Sequence, residues 1–276
     1  MTLAQYLAEL EQELVAVGEE AESLSFVYRA LNDLSFTDFV FKLRAEVSQE
    51  DRDQLKAIQE QLLAHKPAQY IIGSSDFHGL TLKVDERVLI PRPETEELLE
   101  LILSENPEKS VSVLDIGTGS GAIALALASS RPDWQITASD LSSDALALAA
   151  ENAQSCGLNP TFVRSDCFEA ISGSFDIIVS NPPYISEADK DEVGLNVLTS
   201  EPHMALFAEE DGYAVYRKIA EQAGVHLTEK GKIYLEIGYK QGAGIRELFK
   251  KYFPQKRIRV LKDQFGKDRM VAVDNG

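Results

Sequence analysis

The first 65 residues carry hydrophobic positions at the spacing of an α-helix. Two apolar stripes follow one another with Gly18 between them, and we predict one helix for each. The first stripe consists of Leu3, Tyr6, Leu7, Leu10, Leu14 and Val17, and the second includes Leu24, Val27, Tyr28 and Leu31. A third helix is predicted within 35–47, and a fourth after Ser48, where SQED is a capping-box pattern ahead of Leu55, Ile58 and Leu62. Residues 1–69 are therefore predicted to form a small all-α bundle.

The pattern changes after Pro67, which we expect to end the last helix of the bundle. Residues 70–90 alternate apolar and polar positions around His78-Gly79, so we predict a linking β-hairpin there. A new helix is predicted over 91–103, with Pro93 in its first turn.

Strand-like and helical segments alternate from residue 111 onward. The strand-like runs are VSVLDIG, WQITASD, PTFVRSD, FDIIVSN and GKIYLEIG, and IRVLKDQFGKDRMVAV adds an antiparallel pair at one edge. Alternation of this kind is typical of a parallel sheet with helices on both faces. We predict an α/β domain over 91–276, built on a doubly wound, mostly parallel seven-stranded sheet.

The composition excludes several classes of function. The 276 residues have a net charge of −18, which argues against broad binding to nucleic acid, because phosphate affinity comes mainly from Lys and Arg. The basic segment 250–259 is a local exception, for which a solvated strand edge is the default. Two cysteines and four scattered histidines lack the spacing of metal ligands, so we expect no metal. The acidic N-terminal residues and the lack of a long apolar run predict a cytoplasmic protein without a membrane segment.

The segment VLDIGTGSGAIALAL (113–127) is a strand, a glycine-rich turn and a helix. Glycines at 117, 119 and 121 would let the backbone approach a ligand closely. The spacing is G-x-G-x-G, whereas dinucleotide sites have G-x-G-x-x-G. Asp115 would oppose a pyrophosphate but suits a cationic ligand, such as one that carries an ammonium and a sulfonium.

Asp140 ends the next strand-like run. It could accept hydrogen bonds from both hydroxyls of a ribose, or it could cap the following helix, although Ser142 could do the latter instead. Together with the glycine loop, Asp140 makes S-adenosylmethionine the best single ligand.

The run FDIIVSNPPYI (175–185) ends a strand on a stiff, polar edge. A planar amide or exocyclic base nitrogen is a poor nucleophile, and two acceptors aimed at its N–H groups would turn its electron density toward a methyl donor. Asn181 offers its side-chain oxygen and Pro182 its backbone carbonyl, and the prolines fix the backbone that carries both. Tyr184 offers a flat face for a planar substrate group. NPPY is therefore predicted to hold the substrate nitrogen by positioning and electrostatics.

The chain is similar to the class I S-adenosylmethionine-dependent methyltransferases, which have a Rossmann-like fold. It most closely resembles the protein-(glutamine-N5) methyltransferases of peptide chain release factors. The resemblance covers nearly the whole chain and is carried by PAQYIIGSSDFHGL (67–80), VLIPRPETEELL (88–99), VLDIGTGSGAIALALA (113–128), ASDLSSDAL (138–146), IIVSNPPYI (177–185), EPHMALFAEEDG (201–212) and YLEIG (234–238).

The resemblance implies a role for particular residues. The residues implied to hold S-adenosylmethionine, which leaves as S-adenosylhomocysteine, are Gly117, Thr118, Gly119, Ser120, Gly121, Asp140, Cys167, Phe168 and Asn181. Asn181, Pro182, Pro183 and Tyr184 are implied to bind the substrate amide and to be catalytic. The family commonly has an aromatic near the adenine where this chain has Cys167, followed by Phe168, and its usual Gly-Gly before Asp-Gly is replaced within Ala208–Gly212.

The implied substrate is the glutamine of a Gly-Gly-Gln tripeptide in a release factor. The helical domain is expected to bind a distant part of that protein, although it could also be a stabilising appendage. PRPETE (91–96) is expected to be a hinge, with Arg92 and Glu96 as neighbours of the pocket. The protein is expected to be a monomer.

Four other functions remain as alternatives. The same chemistry could act on a ribosomal-protein glutamine, or on adenine N6 or guanine N2 of a nucleic acid, which would require a basic surface and room for a flipped base. A binding protein on an inactive methyltransferase fold would fail to bind S-adenosylmethionine. A dinucleotide oxidoreductase would bind NAD.

Overall fold

The computed structural model describes residues 1–107 and 110–276. The helices are α1 (Leu3–Ala16), α2 (Glu22–Leu31), α3 (Phe36–Lys42), α4 (Gln49–Leu63), α5 (Ala68–Ile72), α6 (Pro93–Glu105), α7 (Ala122–Ser130), α8 (Ser143–Cys156), α9 (Leu195–Ser200), α10 (His203–Leu206), α11 (Glu209–Gly212), α12 (Ala214–Gln222) and α13 (Gly242–Tyr252). The strands are β1 (Ser74–Phe77), β2 (Leu80–Lys83), β3 (Ser112–Ile116), β4 (Gln135–Asp140), β5 (Thr161–Arg164), β6 (Phe175–Ser180), β7 (Leu227–Glu236), β8 (Arg257–Lys262) and β9 (Asp268–Asp274). Short 3-10 helices cover Glu187–Glu192 and Ala223–His226.

The chain divides into two compact units. The helical unit comprises residues 1–75 and 193–201, and the sheet unit comprises 76–192 and 202–276. The helical unit thus includes α9, which lies far from its other helices in the sequence. None of the helices in the described parts of the chain is long and apolar enough to cross a membrane.

The helical unit confirms the predicted N-terminal bundle. Ser48 is the N-cap of α4, and its side chain and that of Asp51 form the predicted capping box. Two members of the predicted apolar stripes are not buried, since Val17 and Leu31 are 49% and 44% exposed. Val17 is the C-cap residue of α1, and Leu31 is the last residue of α2. Both therefore lie at the end of a helix, where the chain turns away from the core. The buried residues of the unit are Leu3, Tyr6, Leu7, Leu10, Leu14, Leu24, Val27, Tyr28, Phe39, Val47, Leu55, Ile58 and Leu62.

The segment that links the bundle to the sheet differs in detail from the prediction. Pro67 does not end α4, which already ends at Leu63, but is the N-cap residue of the short helix α5. The hairpin consists of β1 and β2 and is shorter than the predicted range 70–90. Helix α6 begins at Pro93, two residues after the predicted start at 91, and Pro93 is in its first turn as predicted. Proline suits the first helical position because it lacks only an N–H that would have no intrahelical acceptor.

The seven-stranded sheet has the order β5-β4-β3-β6-β7-β9-β8. The first five of these strands pair in parallel, whereas β9 is antiparallel to both β7 and β8. The chain proceeds outward from β3 to β5 on one side and from β6 to β7 on the other. This confirms the predicted doubly wound, mostly parallel sheet with an antiparallel edge. Ligands in such sheets bind at the carboxyl ends of the strands where the order reverses, which here is between β3 and β6.

Both faces of the sheet are buried, as a doubly wound sheet requires. Successive residues of one strand point to opposite faces, so Val113 and Leu114 of β3 belong to different hydrophobic clusters. One cluster packs α6 and α7 on the sheet, and the other packs α12 and α13 on the opposite face. This packing holds the ends of β3 and β6 in a rigid frame.

Candidate active site

A cavity of about 490 Å³ opens at the carboxyl ends of β3, β4 and β6. Its volume is in the range of pockets that hold small organic ligands. Nine of the residues predicted for the site line it, namely Gly117, Thr118, Gly119, Ser120, Asp140, Cys167, Asn181, Pro182 and Pro183. Gly121, Phe168 and Tyr184, which were also predicted for the site, are not among its lining residues.

The glycine loop turns tightly between β3 and α7. Gly117 and Gly119 have φ values of 73° and 55°, in the left-handed region that favours glycine. The backbone N–H groups of Gly117 and Thr118 both donate to the carbonyl of Ser139, at 2.8 and 2.9 Å. Gly121 caps α7, and a Cβ there would lie 3.1 Å from a Leu125 side-chain atom. Gly121 therefore allows close packing under the loop rather than lining the cavity.

Asp140 serves the loop as well as the cavity wall. Its Oδ2 accepts from the backbone N–H of Gly119 at 2.9 Å, and its Oδ1 accepts from that of Ser142, also at 2.9 Å. The N-cap of α8 is Ser142, whose Oγ accepts from Ala145 N. Burial raises the pKa of Asp140, against the effect of these backbone hydrogen bonds. A carboxylate has about four acceptor positions, so Asp140 retains capacity for ligand hydroxyls.

Asp115 lies at the base of the glycine loop with one oxygen unused. The hydroxyl of Thr118 donates to Oδ2 at 2.7 Å, while the buried Oδ1 has no partner at good hydrogen-bond geometry among the described residues, although the backbone N–H of Ala124 also acts on the carboxyl. Asp115 is fully buried behind the loop and does not line the cavity. Burial raises the pKa of Asp115 to about 7, and the nearby charge of Asp140 adds to this effect. The negative charge of this carboxyl behind the loop favours a positively charged ligand group in the neighbouring cavity.

Asn181 follows directly on β6 and is held by a second side chain. Its Nδ2 donates to Oγ1 of Thr95 at 3.1 Å, and that hydroxyl donates to Oε2 of Glu236 at 2.6 Å. Burial raises the pKa of the Glu236 carboxyl to about 7. Thr95 lies inside PRPETE and Glu236 inside YLEIG. Both segments were singled out in the sequence, but neither residue was predicted for the site.

Tyr184 is the last residue of the NPPY segment. It packs against the hydrophobic cluster that α12 and α13 form on the sheet. Burial raises the pKa of its phenol to about 12, and the charge of Glu236 acts in the same direction. Its backbone carbonyl accepts from Nε2 of Gln241 at 3.0 Å. A Cβ at Gly212 would lie 2.2 Å from that carbonyl, so only glycine fits beside the segment. Gln241 and Gly212 therefore fix the backbone position of NPPY.

Cys167 and Phe168, which were predicted to lie at the adenine end of the site, point to different places. Cys167 lines the cavity with a φ of 48°, and burial, with the charge of Asp166 next, raises the pKa of its thiol to about 12. Phe168 instead stacks on the ring of His226 with 4.9 Å between centroids. The left-handed backbone at Cys167 sends the two consecutive side chains to different places.

The segment Ala208–Gly212, where the chain departs from the family pattern, also borders the cavity. Ala208 and Glu209 line it, whereas Glu210 forms an ion pair with Arg217. Glu210 and the following Asp211 have left-handed backbone, at φ values of 58° and 54°. This strained turn leads into the close approach at Gly212.

Of the two neighbours expected from PRPETE, one lines the cavity. Arg92 is in the wall, whereas Glu96 accepts a hydrogen bond from the backbone N–H of His78 at 2.8 Å. Glu96 therefore stabilises the turn of the hairpin, and its expected place at the pocket is wrong.

The basic segment 250–259 is largely engaged within the chain. Arg257 pairs with Asp274 at 2.9 Å, and Arg259 contacts both Glu105 and Asp274, at 2.7 and 2.8 Å. These carboxylates neutralise the arginines that a nucleic acid would need. No group of three or more His, Cys, Asp or Glu side chains suited to a metal occurs within residues 1–107 and 110–276.

Solved structures share the fold of the sheet unit. A methyltransferase from Pyrococcus furiosus is similar over 82% of this chain and 98% of its own, with a TM-score of 0.56 and 20% identity. The 16S rRNA N2 G1207 methyltransferase of Thermus thermophilus, solved with AdoMet and guanosine, is similar over 74% of this chain and 50% of its own, with a TM-score of 0.52 and 18% identity. Likeness at these identities shows a common fold.

Sequence relatives are much closer. Residues 94–271 match the methyltransferase small domain, and residues 5–73 match the PrmC N-terminal domain. The release factor glutamine methyltransferase of Streptococcus pneumoniae is 65% identical over 277 residues, covering 100% of this chain and 99% of the relative. The enzyme of the same name from Lactococcus lactis subsp. lactis is 50% identical, covering 92% and 94%. These matches confirm the resemblance inferred from the sequence, and the chain belongs to the family of release factor glutamine methyltransferases.

Proposed function

We propose that this chain transfers a methyl group from S-adenosylmethionine to the side-chain amide nitrogen of the glutamine in the Gly-Gly-Gln motif of a peptide chain release factor. The observation that carries the proposal is the 65% identity, along the full length, to a release factor glutamine methyltransferase. The geometry supports it because Asn181 and Pro182 lie together in the cavity wall, where two acceptors are needed.

Membership of this methyltransferase family implies S-adenosylmethionine as cosubstrate. Three features of the cavity fit that molecule. Its volume of about 490 Å³ accommodates a nucleoside with an amino-acid side arm. Asp140, in the cavity wall, offers acceptors for ribose hydroxyls, and the buried carboxyl of Asp115 beneath the glycine loop adds negative charge that favours a cationic ligand. A pyrophosphate would instead meet the carboxylate of Asp140 in the wall and the negative charge of Asp115 behind the loop, which disfavours a dinucleotide.

We assign the binding of S-adenosylmethionine to the glycine loop and to the wall around it. The residues assigned are Gly117, Thr118, Gly119, Ser120, Asp140, Cys167 and Asn181, with Gly121 acting through the packing of the loop. Phe168 is not included, because it stacks on His226 and does not line the cavity. Cys167 is a small, neutral wall residue for the adenine end, since its raised pKa keeps the thiol protonated at neutral pH.

Asn181 and Pro182 carry the proposed chemistry. Bound S-adenosylmethionine supplies an electrophilic methyl group. The nitrogen of a glutamine amide is planar and its lone pair is delocalised, so the protein must hold it while that electron density turns toward the methyl group. Asn181 Oδ1 and the carbonyl of Pro182 accept its two N–H groups, and Pro182 and Pro183 keep these acceptors stiff. A strong base is not required, because the nitrogen becomes acidic as the new bond forms.

The test is a methyl-transfer assay on purified release factors with radiolabelled S-adenosylmethionine. We expect label on the unaltered factor and none on a factor whose Gly-Gly-Gln glutamine is replaced by alanine. Equal label on both factors would contradict the proposed target. Label on neither, with S-adenosylmethionine still bound, would contradict it as well and would direct the search to ribosomal proteins and nucleic acids.

We further propose that residues 1–69 recognise the protein substrate at a distance from the glutamine. Support comes from three large aromatic side chains that the helical unit leaves exposed, Phe26, Phe36 and Phe41, at 47%, 67% and 66%. Exposed aromatic residues are typical of surfaces that bind proteins.

The double variant Phe36→Ser/Phe41→Ser tests this role. We expect KM for the intact release factor to rise about tenfold or more, since loss of aromatic side chains at the centre of an interface costs about 2 kcal/mol or more. Turnover of a short Gly-Gly-Gln peptide should be unchanged. An unchanged KM for the intact factor would show that these side chains do not bind the substrate.

A further inference from the structure

Three side chains from separate elements form a hydrogen-bonded series at the end of β6. Thr95 lies in the first turn of α6, Asn181 follows β6, and Glu236 ends β7. Thr95 and Glu236 are 4% and 2% exposed, so water does not compete effectively for their hydrogen bonds. The contacts are 3.1 Å from Asn181 Nδ2 to Thr95 Oγ1 and 2.6 Å from Thr95 Oγ1 to Glu236 Oε2.

The chemistry of the three groups decides which of them donates and which accepts in each hydrogen bond. An ionised carboxylate only accepts hydrogen bonds, so Glu236 takes the single hydroxyl hydrogen of Thr95. The hydroxyl oxygen can then only accept from its other neighbour, which must present N–H. The amide of Asn181 therefore turns Nδ2 toward Thr95 and keeps Oδ1 for another partner. A glutamine amide needs an acceptor at this point, and Oδ1 is that acceptor.

We propose that Thr95 and Glu236 are positioning residues that select the orientation of the Asn181 amide, so that its oxygen and not its NH₂ group meets the substrate nitrogen. This inference rests on the proposed function, since it concerns how the same site holds the glutamine. A reversed amide would present two donors to a substrate group that itself donates. Such a contact is repulsive and leaves the substrate nitrogen misplaced.

The protonation state of Glu236 controls which groups donate and which accept in these hydrogen bonds. Burial raises the pKa of Glu236 to about 7, and the negative charge of Glu94 acts in the same direction. The hydrogen bond from Thr95 and the positive charges of Arg269 and Arg92 lower the pKa. The phenol of Tyr184 also lies within the electrostatic reach of Glu236.

A protonated Glu236 can donate to Thr95. The hydroxyl of Thr95 can then donate in turn to Oδ1 of Asn181, which reverses the amide. The rate of methyl transfer should therefore rise with pH through about 7, as Glu236 loses its proton. The backbone carbonyl of Glu236 is fixed separately by the hydroxyl of Tyr216, at 2.8 Å.

The first test compares Thr95→Val with Thr95→Ser. Valine keeps the branched shape but can neither accept from Asn181 nor donate to Glu236, whereas serine keeps the hydroxyl. We expect Thr95→Val to lower kcat about 10- to 100-fold, the cost of misplacing a reacting group by about 1 Å, and to leave the Kd for S-adenosylmethionine within about twofold. Thr95→Ser should restore turnover. Equal kcat in Thr95→Val and wild type would overturn the proposal.

The second test uses the pH profile of kcat in Glu236→Gln. The Gln amide can donate to Thr95 at every pH, so we expect lower turnover at pH 8 and no rise between pH 6 and 8. A wild-type profile that is flat in this range, or a Glu236→Gln profile that still rises, would overturn the proposal even if Thr95→Val fails to fold. A wild-type enzyme that does not methylate release factors at all would instead contradict the proposed function.

Discussion

Two carboxylates, the half-buried Asp51 of the helical unit and the fully buried Asp115 of the sheet unit, have opposite surroundings. In the helical unit, Asp51 accepts hydrogen bonds from Tyr28 and Ser48 and pairs with Lys42 at 2.9 Å. Burial alone would raise the pKa of Asp51, but these three partners outweigh burial and hold the pKa well below its usual range. In the sheet unit, Asp115 accepts a hydrogen bond from the neutral hydroxyl of Thr118, and burial raises its pKa to about 7.

The opposite pKa shifts distinguish a carboxylate that stabilises the fold from one that we propose acts on a ligand. Asp51 has a capping role and a cation, so its charge is fully compensated inside the helical unit. Asp115 keeps an oxygen without a partner of good geometry among the described residues, at the end of β3 and beside the loop that borders the cavity. Acids with strongly shifted pKa values are characteristic of functional sites, and here the shift arises from burial directly behind the glycine loop.

The largest effect is expected from Asp115→Asn. Asparagine is neutral and nearly the same size, and its side-chain oxygen can still accept from Thr118. We expect the Kd for S-adenosylmethionine to rise about 10- to 100-fold, because the lost attraction between this negative charge and the cationic ligand is worth on the order of 2 kcal/mol in a partly buried site. The free energy of unfolding without ligand at pH 8 should rise by on the order of 1 kcal/mol, because no charge remains buried. Calorimetric titration and urea unfolding measure the two effects.

The same variant should also change how stability depends on pH. Asp115 and Glu236 both have raised pKa values of about 7. Between about pH 4 and 7 the folded state keeps protons that the unfolded state releases, so the free energy of unfolding falls as pH rises, by about 1.4 kcal/mol per pH unit for each acid. Asp115→Asn should make this decline shallower. The exposed Asp133 provides the control, since Asp133→Asn should leave the decline unchanged.

A smaller effect of opposite sign is expected from Asp51→Asn. Loss of the charge weakens the contacts with Lys42 and Tyr28, so the free energy of unfolding at pH 7 should fall by about 1–3 kcal/mol. Because the pKa of Asp51 is lowered, its contribution is present above about pH 4 and is lost on acidification, and the penalty of the variant should shrink there. S-adenosylmethionine affinity should not change.

Asp53 on the same helix is the control for Asp51. It accepts a hydrogen bond from Gln49 on the exposed surface, and Asp53→Asn should alter the free energy of unfolding by less than about 0.5 kcal/mol. A gain in stability from Asp51→Asn, or a loss from Asp115→Asn, would remove the distinction between the two kinds of carboxylate.

Much of the fold was predictable because its signals are local. The helical stripes, the capping box at Ser48, the proline at the start of α6 and the alternation of strands and helices each depend on a few neighbouring residues. The differences lie where an element ends, as at Val17 and Leu31, since apolar spacing does not report where the chain turns away from its core.

The site was predictable only where it is contiguous. Residues 117–121 and 181–184 are single motifs, and the structure brings most of them to one cavity. Thr95 and Glu236 were missed because they are 141 positions apart and act only through each other and Asn181. Cys167 and Phe168 were predicted together, but a left-handed φ of 48° separates them, and no pattern of residue types shows that angle.

Turnover and cofactor affinity of Asn181→Ala test most directly whether NPPY holds the substrate amide. We expect kcat on a release factor to fall at least about 100-fold, because an acceptor that stabilises the reacting nitrogen is lost, while the Kd for S-adenosylmethionine stays within about threefold. The exposed Asn159 is the control, and Asn159→Ala should behave as wild type. Retained turnover in Asn181→Ala would contradict the assignment of Asn181 as the residue that holds the glutamine.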